Sequence, residues 1–401
     1  MREYWIPAML SSELPLPDSD PVRVMLLGER LIGFRDSSGN VSLIQNLCPH
    51  RGASLFFARN EKEGIRCVYH GWKFDHTGQC VDMPNEPPDS NFKARIKAVS
   101  YPCVERAGVV WTYMGPREEP PPLPDFEVLG LEDGEWDCGA VMRECNWLQA
   151  LEGDLDTSHV NFLHSGSDTP EDLEFGSERY YMTLHKDPKY VSLDTDFGAM
   201  YGAYRPADEG RTYWRIAQFL FPFHAHIPAD RHVHTRSWVP MDDNHTMFFL
   251  MQKKPQDARR QNTGKRFIMT PESRLEPENG TGWFDRFRLL ANADNDYLID
   301  RDEQRSNWSF TGIAGTIAQD QAVTEAMDPI LDRTIEHLGT SDAMVIRTRH
   351  RIIDAVRAFA DHKVEPPGVD DPEVFRTRSC SVFLPNDADW LEATKELRLQ
   401  A

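Results

Sequence analysis

The chain has 401 residues, with 64 Asp and Glu against 44 Lys and Arg, giving a formal net charge of −20. This length is sufficient for two or three domains with buried cores. The acidic balance excludes a general affinity for nucleic acid or anionic membranes, and no apolar run reaches the roughly 20 residues that a membrane span needs. The seven scattered cysteines are not a disulfide framework, so we expect a cytoplasmic protein.

The first third of the chain is predicted to form short strands separated by turns. Segments 22–28, 30–35 and 41–44 are rich in β-branched and large apolar residues, and a polar, glycine-containing turn at 36–40 separates the last two. A further strand is predicted over 108–114. This pattern indicates an antiparallel β region.

A proline-rich segment over 115–124 has the composition of a linker. We therefore predict one domain over residues 1–120 and a second over 121–401. The elements predicted for the second domain are helices over 145–165, 314–338 and 341–362, strands over 212–223 and 246–251, and a polar loop over 254–285.

Two short motifs in the first domain combine cysteine with histidine. Cys48 and His50 form Cys-x-His, and after a gap of sixteen residues Cys67 and His70 form Cys-x₂-His. Two such loops facing each other can place both cysteines on one iron and both histidines on another, as in a Rieske [2Fe–2S] centre. A mononuclear Cys₂His₂ zinc site would use the same residue types, although zinc ligand pairs are usually two to four residues apart.

A second group of candidate ligands lies in the predicted helix over 145–165. Asp156 and His159 are three residues apart and would share a helix face. His159 and His164 are five apart, roughly 140° around an ideal helix. Both can bind one metal only if the helix is distorted or ends between them, and a π-bulge is our prediction. Two histidines with a carboxylate form the facial triad of Fe(II) oxygenases, whereas the segment alone fits partly buried structural histidines equally well.

These motifs together carry a family resemblance. An Asp-x₂-His-x₄-His motif downstream of a Rieske pair resembles the α-subunits of Rieske ring-hydroxylating oxygenases, and more narrowly the phthalate 4,5-dioxygenase-like branch, which includes aryl-ether O-demethylases. Segments beginning at Asn146, Asn295 and Gln319 share the likeness, which runs from Tyr4 to about Arg357. It implies an α+β fold, with an N-terminal antiparallel β Rieske domain and a C-terminal helix-grip (START-like) catalytic domain.

The resemblance also implies roles for individual residues. His159 and His164 match the iron-binding histidines, and Asp320 matches the third ligand, a carboxylate. Asp156 matches a bridging carboxylate that hydrogen-bonds His159 and, across a subunit boundary, a cluster histidine, here His70. A homotrimer, or stacked trimers, is therefore expected.

The activity implied is that of a terminal oxygenase. It would hydroxylate or O-demethylate an aromatic substrate, an aryl carboxylate or methoxylated aryl acid, using O₂ and electrons from a separate NAD(P)H-dependent reductase or ferredoxin. No Gly-x-Gly-x-x-Gly motif follows a strand, so we expect no NAD(P)H site on this chain. An electron carrier with an appended ligand-binding domain is the alternative function.

Two sequence features remain open at this point. Lys189, Arg205 and Arg215 lie in the region where phthalate-type relatives hold substrate carboxylates, and they are the candidate substrate contacts. The Gly-Gly pair that is common before the iron motif is replaced here by Gly153 and Asp154, and the sequence does not assign the extra carboxylate a role.

Overall fold

The amino-terminal region is built from short antiparallel strands, as predicted. A computed structural model describes residues 1–228, 233–254 and 280–399. The strands of this region form three sheets, ordered β2-β3-β4-β9, β5-β6-β7-β8 and β1-β11-β10. Their bounds are β1 Trp5–Leu10, β2 Val22–Leu26, β3 Glu29–Arg35, β4 Val41–Gln45, β5 Arg59–Glu61, β6 Gly64–Arg66, β7 Lys73–Phe74, β8 Cys80–Asp82, β9 Ser100–Tyr101, β10 Cys103–Arg106 and β11 Val109–Tyr113.

The turn between β3 and β4 shows how the sequence sets the register. The Asp36 Oδ1 atom accepts hydrogen bonds from the backbone N–H groups of Ser38 at 2.9 Å and Asn40 at 2.8 Å. Gly39 has φ of +90°, which glycine adopts without strain. The predicted strands over 22–28, 30–35, 41–44 and 108–114 are confirmed as β2, β3, β4 and β11.

The second region is organised around one large antiparallel sheet. Its strand order is β12-β18-β17-β16-β15-β14-β13, and β19 also pairs with β15. The bounds are β12 Trp136–Arg143, β13 Lys189–Thr195, β14 Gly198–Pro206, β15 Arg211–Leu220, β16 His224–His226, β17 His234–Pro240, β18 Thr246–Lys253 and β19 Cys380–Pro385. The strands predicted over 212–223 and 246–251 are confirmed as β15 and β18.

A long helix lies against this sheet. The α-helices are α1 Trp147–Leu155, α2 Glu178–Leu184, α3 Arg301–Arg305, α4 Thr316–Glu325, α5 Ala343–His362, α6 Trp390–Ala393 and α7 Lys395–Arg398. Helix α5 packs on β13 and β14. Its Arg347 Nε donates to Ser192 Oγ at 2.9 Å, and its Arg351 Nε donates to the Gly198 carbonyl at 2.9 Å. The expected α+β class, with a sheet that holds a long helix, is confirmed.

Two of the predictions differ from the structure in extent. The helix expected over 314–338 is wrong in length, because α4 ends at Glu325. Asp328 has φ of +66° and precedes Pro329, and both features oppose a continuing helix. The helix over 341–362 is confirmed as α5. Most of the polar loop expected over 254–285 lies outside the described residues.

The apolar core is continuous across the proline-rich segment. The largest buried cluster contains Trp111 from β11 together with Trp238 and Phe248 from the large sheet. The Trp5 indole also donates to the Pro121 carbonyl at 2.6 Å. A separate buried cluster surrounds the cysteine–histidine loops. No α-helix in the described ranges is long and apolar enough to cross a membrane.

Candidate metal centres

The two cysteine–histidine loops have the same backbone hydrogen bonds. The N–H of Cys48 donates to the Ala53 carbonyl at 2.8 Å, and the N–H of Cys67 donates to the Trp72 carbonyl at 2.9 Å. In each loop the residue four positions after the cysteine donates back to the cysteine carbonyl. The two loops are therefore equivalent turns, each of which carries one thiol and one imidazole.

In each turn, the residue four positions after the cysteine must be a glycine. Gly52 has φ of +74° and Gly71 has φ of +78°, a region that side chains with a Cβ rarely adopt. A Cβ on Gly71 would also lie 2.7 Å from Pro84 Cγ, whereas a Cβ on Gly52 would meet nothing within 4 Å. The second loop is therefore held more tightly by its surroundings than the first.

The side chains of these loops converge. Cys48 and Cys67 are both 2% exposed, and burial, reinforced by the nearby Cys67, raises the pKa of Cys48 to about 12. The half-buried rings of His50 and His70 lie 4.4 Å apart at their centroids. The Nδ1 atom of His50 is buried without a hydrogen-bond partner. Two buried thiols beside two imidazoles, with one imidazole nitrogen unpaired, fit the donor set of a [2Fe–2S] group.

Trp72 fixes one of these imidazoles. Its indole stacks on the His50 ring at a centroid distance of 4.4 Å and an interplanar angle of 13°. The indole N–H donates to Asn85 Oδ1 at 2.8 Å. The sequence alone does not indicate this contact.

The second centre begins where helix α1 stops. Helix α1 ends at Leu155, and the Asp156 carboxylate accepts hydrogen bonds from the N–H groups of Ser158 at 2.6 Å and His159 at 3.2 Å. The helix predicted over 145–165 is therefore confirmed only as α1, Trp147–Leu155, and its continuation with a π-bulge is wrong. The Asp156 side chain competes with the backbone carbonyls for these amide protons, and a short 3₁₀ turn over His159–Asn161 follows instead.

This irregular segment brings two histidines to one carboxylate. The Nε2 atoms of His159 and His164 are 3.2 Å apart. Asp320 Oδ1, on α4, lies 3.1 Å from the Nε2 of His164 and 3.6 Å from the Nε2 of His159. The ligand atoms of the three residues all lie within 4.8 Å of one another. Imidazole nitrogens bound about 2 Å from a shared ion have a comparable spacing, so the three residues fit a single metal.

Charges around this centre favour an ionised carboxylate. Burial opposes ionisation of Asp320, but its hydrogen bond to His164 and the charge of His159 hold the pKa of Asp320 below the usual value. Burial also opposes a charge on His159, yet Asp156 and Asp320 raise the pKa of His159. The site therefore supplies an anionic oxygen and two imidazoles, as the facial triad requires.

Gln319 is a functional candidate that sequence reasoning missed. Its Oε1 lies 2.8 Å from His164 Nδ1, and its amide nitrogen donates to Thr311 Oγ1 at 3.1 Å and to the Ile313 carbonyl at 2.8 Å. Metal-binding histidines usually donate their second N–H to such an acceptor, which fixes the tautomer. The indication available in the sequence was a glutamine directly before the predicted ligand Asp320.

Asp154 and Asp156, the two aspartates that precede His159 in the sequence, differ in their contacts. Asp156 Oδ2 lies 3.5 Å from His159 Nδ1. Asp154 has other partners: its Oδ2 accepts from Arg236 Nε at 2.8 Å and from the Trp238 indole at 2.6 Å. Asp154 thus attaches the end of α1 to β17, which gives the extra carboxylate a structural role.

The three candidate substrate contacts do not lie together. Arg205 and Arg215 project from one face of the sheet, because Arg215 pairs with Ala203, two residues before Arg205 on β14. Lys189 is exposed and pairs with Tyr204, so it projects from the opposite face. The structure therefore separates Lys189 from the other two residues, because adjacent strand positions face opposite sides of a sheet.

Arg215 contacts the segment that carries the two histidines, whereas Arg205 contacts the backbone at His185. Arg215 Nε donates to Thr157 Oγ1 at 3.0 Å. Arg205 is fully buried, donates from Nε to the His185 carbonyl at 2.8 Å and has a buried Nη1 without a partner. Burial, together with the nearby charge of Arg215, lowers the pKa of Arg205 to about 10. Within the described residues, neither arginine forms an ion pair with a carboxylate.

Comparison with known proteins identifies both regions. The family model of the Rieske [2Fe-2S] domain matches residues 4–102, and that of the LigXa C-terminal domain like family matches residues 112–399. The chain is 45% identical over 409 residues to the 3-chlorobenzoate-3,4-dioxygenase oxygenase subunit of Comamonas testosteroni, covering 100% of this chain and 94% of that protein. It is 35% identical to the phthalate 4,5-dioxygenase oxygenase subunit of Pseudomonas putida, covering 97% and 89%.

A solved structure supports the fold. Dicamba monooxygenase bound to dicamba has a TM-score of 0.59 and 18% identity, covering 88% of this chain and 96% of that one. The two regions together define a Rieske-type non-haem iron oxygenase, whose cofactors are a [2Fe–2S] cluster and a mononuclear iron. The chain belongs to the LigXa-like, phthalate 4,5-dioxygenase-like branch of this family.

The family assignment decides between the alternatives that the sequence left open. The match to the Rieske domain model favours the [2Fe–2S] cluster over zinc at the amino-terminal loops. The chain is the oxygenase component of a multicomponent system that uses O₂ and a separate electron donor, and a pure electron carrier is not favoured.

Proposed function

We propose that this oxygenase acts on an aromatic carboxylate, at an iron held by His159, His164 and Asp320. The observation that carries the substrate class is the pair Arg205 and Arg215, one fully buried and one partly buried cation on one face of the sheet, which lack a carboxylate partner within the described residues. The names of the two relatives, 3-chlorobenzoate and phthalate dioxygenase subunits, denote acids of this class.

Both arginines are at least partly removed from water. Burying an ion without a partner costs several kcal/mol, and a guanidinium recognises a carboxylate through paired hydrogen bonds. Arg215 contacts Thr157, two residues before His159, and Arg205 keeps an unpaired Nη1. A substrate carboxylate bound between them would neutralise this positive region and direct the aromatic ring towards the iron ligands.

The protein residues then have distinct tasks. Cys48, His50, Cys67 and His70 would hold the [2Fe–2S] cluster. When bound, this cluster stores single electrons and the mononuclear iron activates O₂. Asp156 holds the His159 segment through the backbone and lies beside the imidazole Nδ1.

The proposal also covers the oligomeric state, the cellular location and the electron donor. Asp156 would also accept a hydrogen bond from a cluster histidine of a neighbouring copy, so a head-to-tail homotrimer, alone or stacked, is proposed. The scattered, unpaired cysteines support a cytoplasmic location. An NAD(P)H-dependent reductase, with or without a ferredoxin, would supply the electrons.

The substrate class is tested by oxygen uptake with a surrogate reductase. Benzoate, 3-chlorobenzoate and phthalate should stimulate uptake, and benzamide, which has the same ring without the charge, should stimulate it weakly. Arg215→Gln should raise KM for the acids by about 10- to 100-fold, since hydrogen bonds to charged groups contribute about 1.5–3 kcal/mol. The matched control is Lys189→Gln, on the other face of the sheet, which should leave KM unchanged. Equal losses for benzoate and benzamide would mean that Arg215 only supports Thr157.

Product analysis separates the two reaction types. A cis-diol product indicates dioxygenation of the ring, and formaldehyde released from a methoxylated acid indicates O-demethylation. Three irons per chain are expected in either case, two in the cluster and one in the catalytic site. Protein with only two irons and no oxygen uptake would contradict the proposal.

A further inference from the structure

A chain of aromatic contacts leads from a cluster-binding histidine to the protein surface. The His50 ring stacks on Trp72 at 4.4 Å. Trp72 in turn packs against Phe92 in a T-shaped arrangement, with a centroid distance of 6.0 Å and an interplanar angle of 79°. Phe92 is 40% exposed. This route connects the half-buried His50 ring to one exposed position on the surface, Phe92.

The surface at the end of this route is basic. Lys93, Arg95 and Lys97 follow Phe92 within five residues, and all three are exposed. Across the described part of the chain, none of them forms an ion pair, and the carboxylates of Glu86 and Asp89 do not pair with them. These three cations lie close together in the sequence of a protein whose net charge is −20. We call Phe92, Lys93, Arg95 and Lys97 the basic edge.

A second exposed surface near the same centre is apolar rather than charged. Leu47, Val68 and Tyr69, on the two ligand loops, are 53%, 57% and 55% exposed. Permanent subunit interfaces are the more apolar class, whereas transient electron-transfer contacts are small and guided by charge. The apolar loop surface therefore suits a permanent contact between subunits, and the basic edge suits a transient one.

We propose that the basic edge is the docking surface for the electron donor, and that this donor presents an acidic [2Fe–2S] ferredoxin or ferredoxin domain. The donor, in its reduced form, gives up one electron per encounter. The oxidised Rieske centre behind Trp72 gains that electron, and the oxidised donor dissociates. This inference rests on the proposed electron supply and adds the place and the charge of the partner.

Binding is tested first, with the cluster-loaded protein and an acidic plant-type [2Fe–2S] ferredoxin, both oxidised, by isothermal titration calorimetry. Lys93→Glu with Arg95→Glu should weaken binding by about tenfold or more at low ionic strength, and added salt should reduce the difference. The matched control is Arg357→Glu with Lys363→Glu, the same change in net charge at exposed positions of α5 and its carboxyl end. This control should bind within about twofold of the wild type.

Electron transfer is tested next, by following the visible absorbance of the Rieske cluster after mixing with reduced ferredoxin. Phe92→Leu should keep the affinity but lower the limiting rate, because it removes the aromatic contact with Trp72. The neutral pair Lys93→Gln with Arg95→Gln should give an intermediate affinity, and an unchanged oxidised spectrum shows that each variant is folded.

The proposal is overturned if the basic-edge reversal weakens binding no more than the α5 reversal. It is also overturned if the wild-type protein does not bind the ferredoxin at low ionic strength. Both measurements need only the assembled cluster. They therefore remain valid if no aromatic carboxylate proves to be a substrate.

Discussion

The two metal centres are built in contrasting ways. The amino-terminal centre has its four proposed ligands on two equivalent turns, each closed by backbone hydrogen bonds around a glycine. The second centre has no such turn, and side chains impose its shape: Asp156 stops the helix, and Gln319 holds His164 from a position 155 residues away. A locally closed loop tolerates changes elsewhere in the fold, whereas a centre held by distant side chains depends on each of them.

The largest expected effect tests the distant carboxylate. Asp320→Ala removes the anionic oxygen that lies between the two imidazoles, so we expect loss of the mononuclear iron and of oxygen uptake. The turns that carry the cluster ligands do not involve α4, so the red-brown colour of the cluster should remain. Iron counting together with the visible spectrum measures both; a variant that keeps three irons per chain would show that another group is the third ligand.

The next effect concerns Asp156. Asp156→Asn keeps the oxygen that accepts from the Ser158 N–H, but it replaces the oxygen that lies nearest His159 with an amide nitrogen and removes the charge beside His159 Nδ1. Both metals should be retained, while transfer of the stored electron should slow by about 10- to 100-fold, the usual effect of losing a partner of a metal ligand. Single-turnover reoxidation of pre-reduced protein with substrate and O₂ measures this rate, and an unchanged rate would remove Asp156 from the transfer route.

A smaller effect should come from Gln319. Gln319→Leu removes the acceptor at His164 Nδ1 and the link to Thr311 and Ile313, and we expect about tenfold weaker iron binding. Gln321→Leu is the matched control, since Gln321 is buried on the same helix and its Oε1 has no partner. Iron loss to a chelator, timed for both variants, gives the comparison. Equal rates would show that Gln319 has no specific role.

The same contrast explains what could be predicted from the sequence. The spacing of Cys48, His50, Cys67 and His70 is local, so the sequence indicated their loops and most of the strands around them. The shape of the segment after Leu155 was predicted wrongly. The periodicity of apolar residues does not show that the Asp156 side chain will accept hydrogen bonds from two backbone N–H groups and so end the helix. Asp320 was found only through the family resemblance, and Gln319 was missed, because contacts over such separations leave no local pattern.

The smallest expected effect distinguishes the two equivalent turns from each other. Gly52→Ala adds a methyl group at φ of +74° with nothing within 4 Å, so it should destabilise the folded protein by about 1 kcal/mol. Gly71→Ala has the same backbone strain but also brings the new Cβ to 2.7 Å from Pro84 Cγ, which forces the loop or the proline to move. We therefore expect a larger loss for Gly71→Ala, measured as cluster content and as urea midpoint. If the two variants lose stability equally, Pro84 can move without a cost in free energy of unfolding. The second loop is then no more constrained by its neighbours than the first.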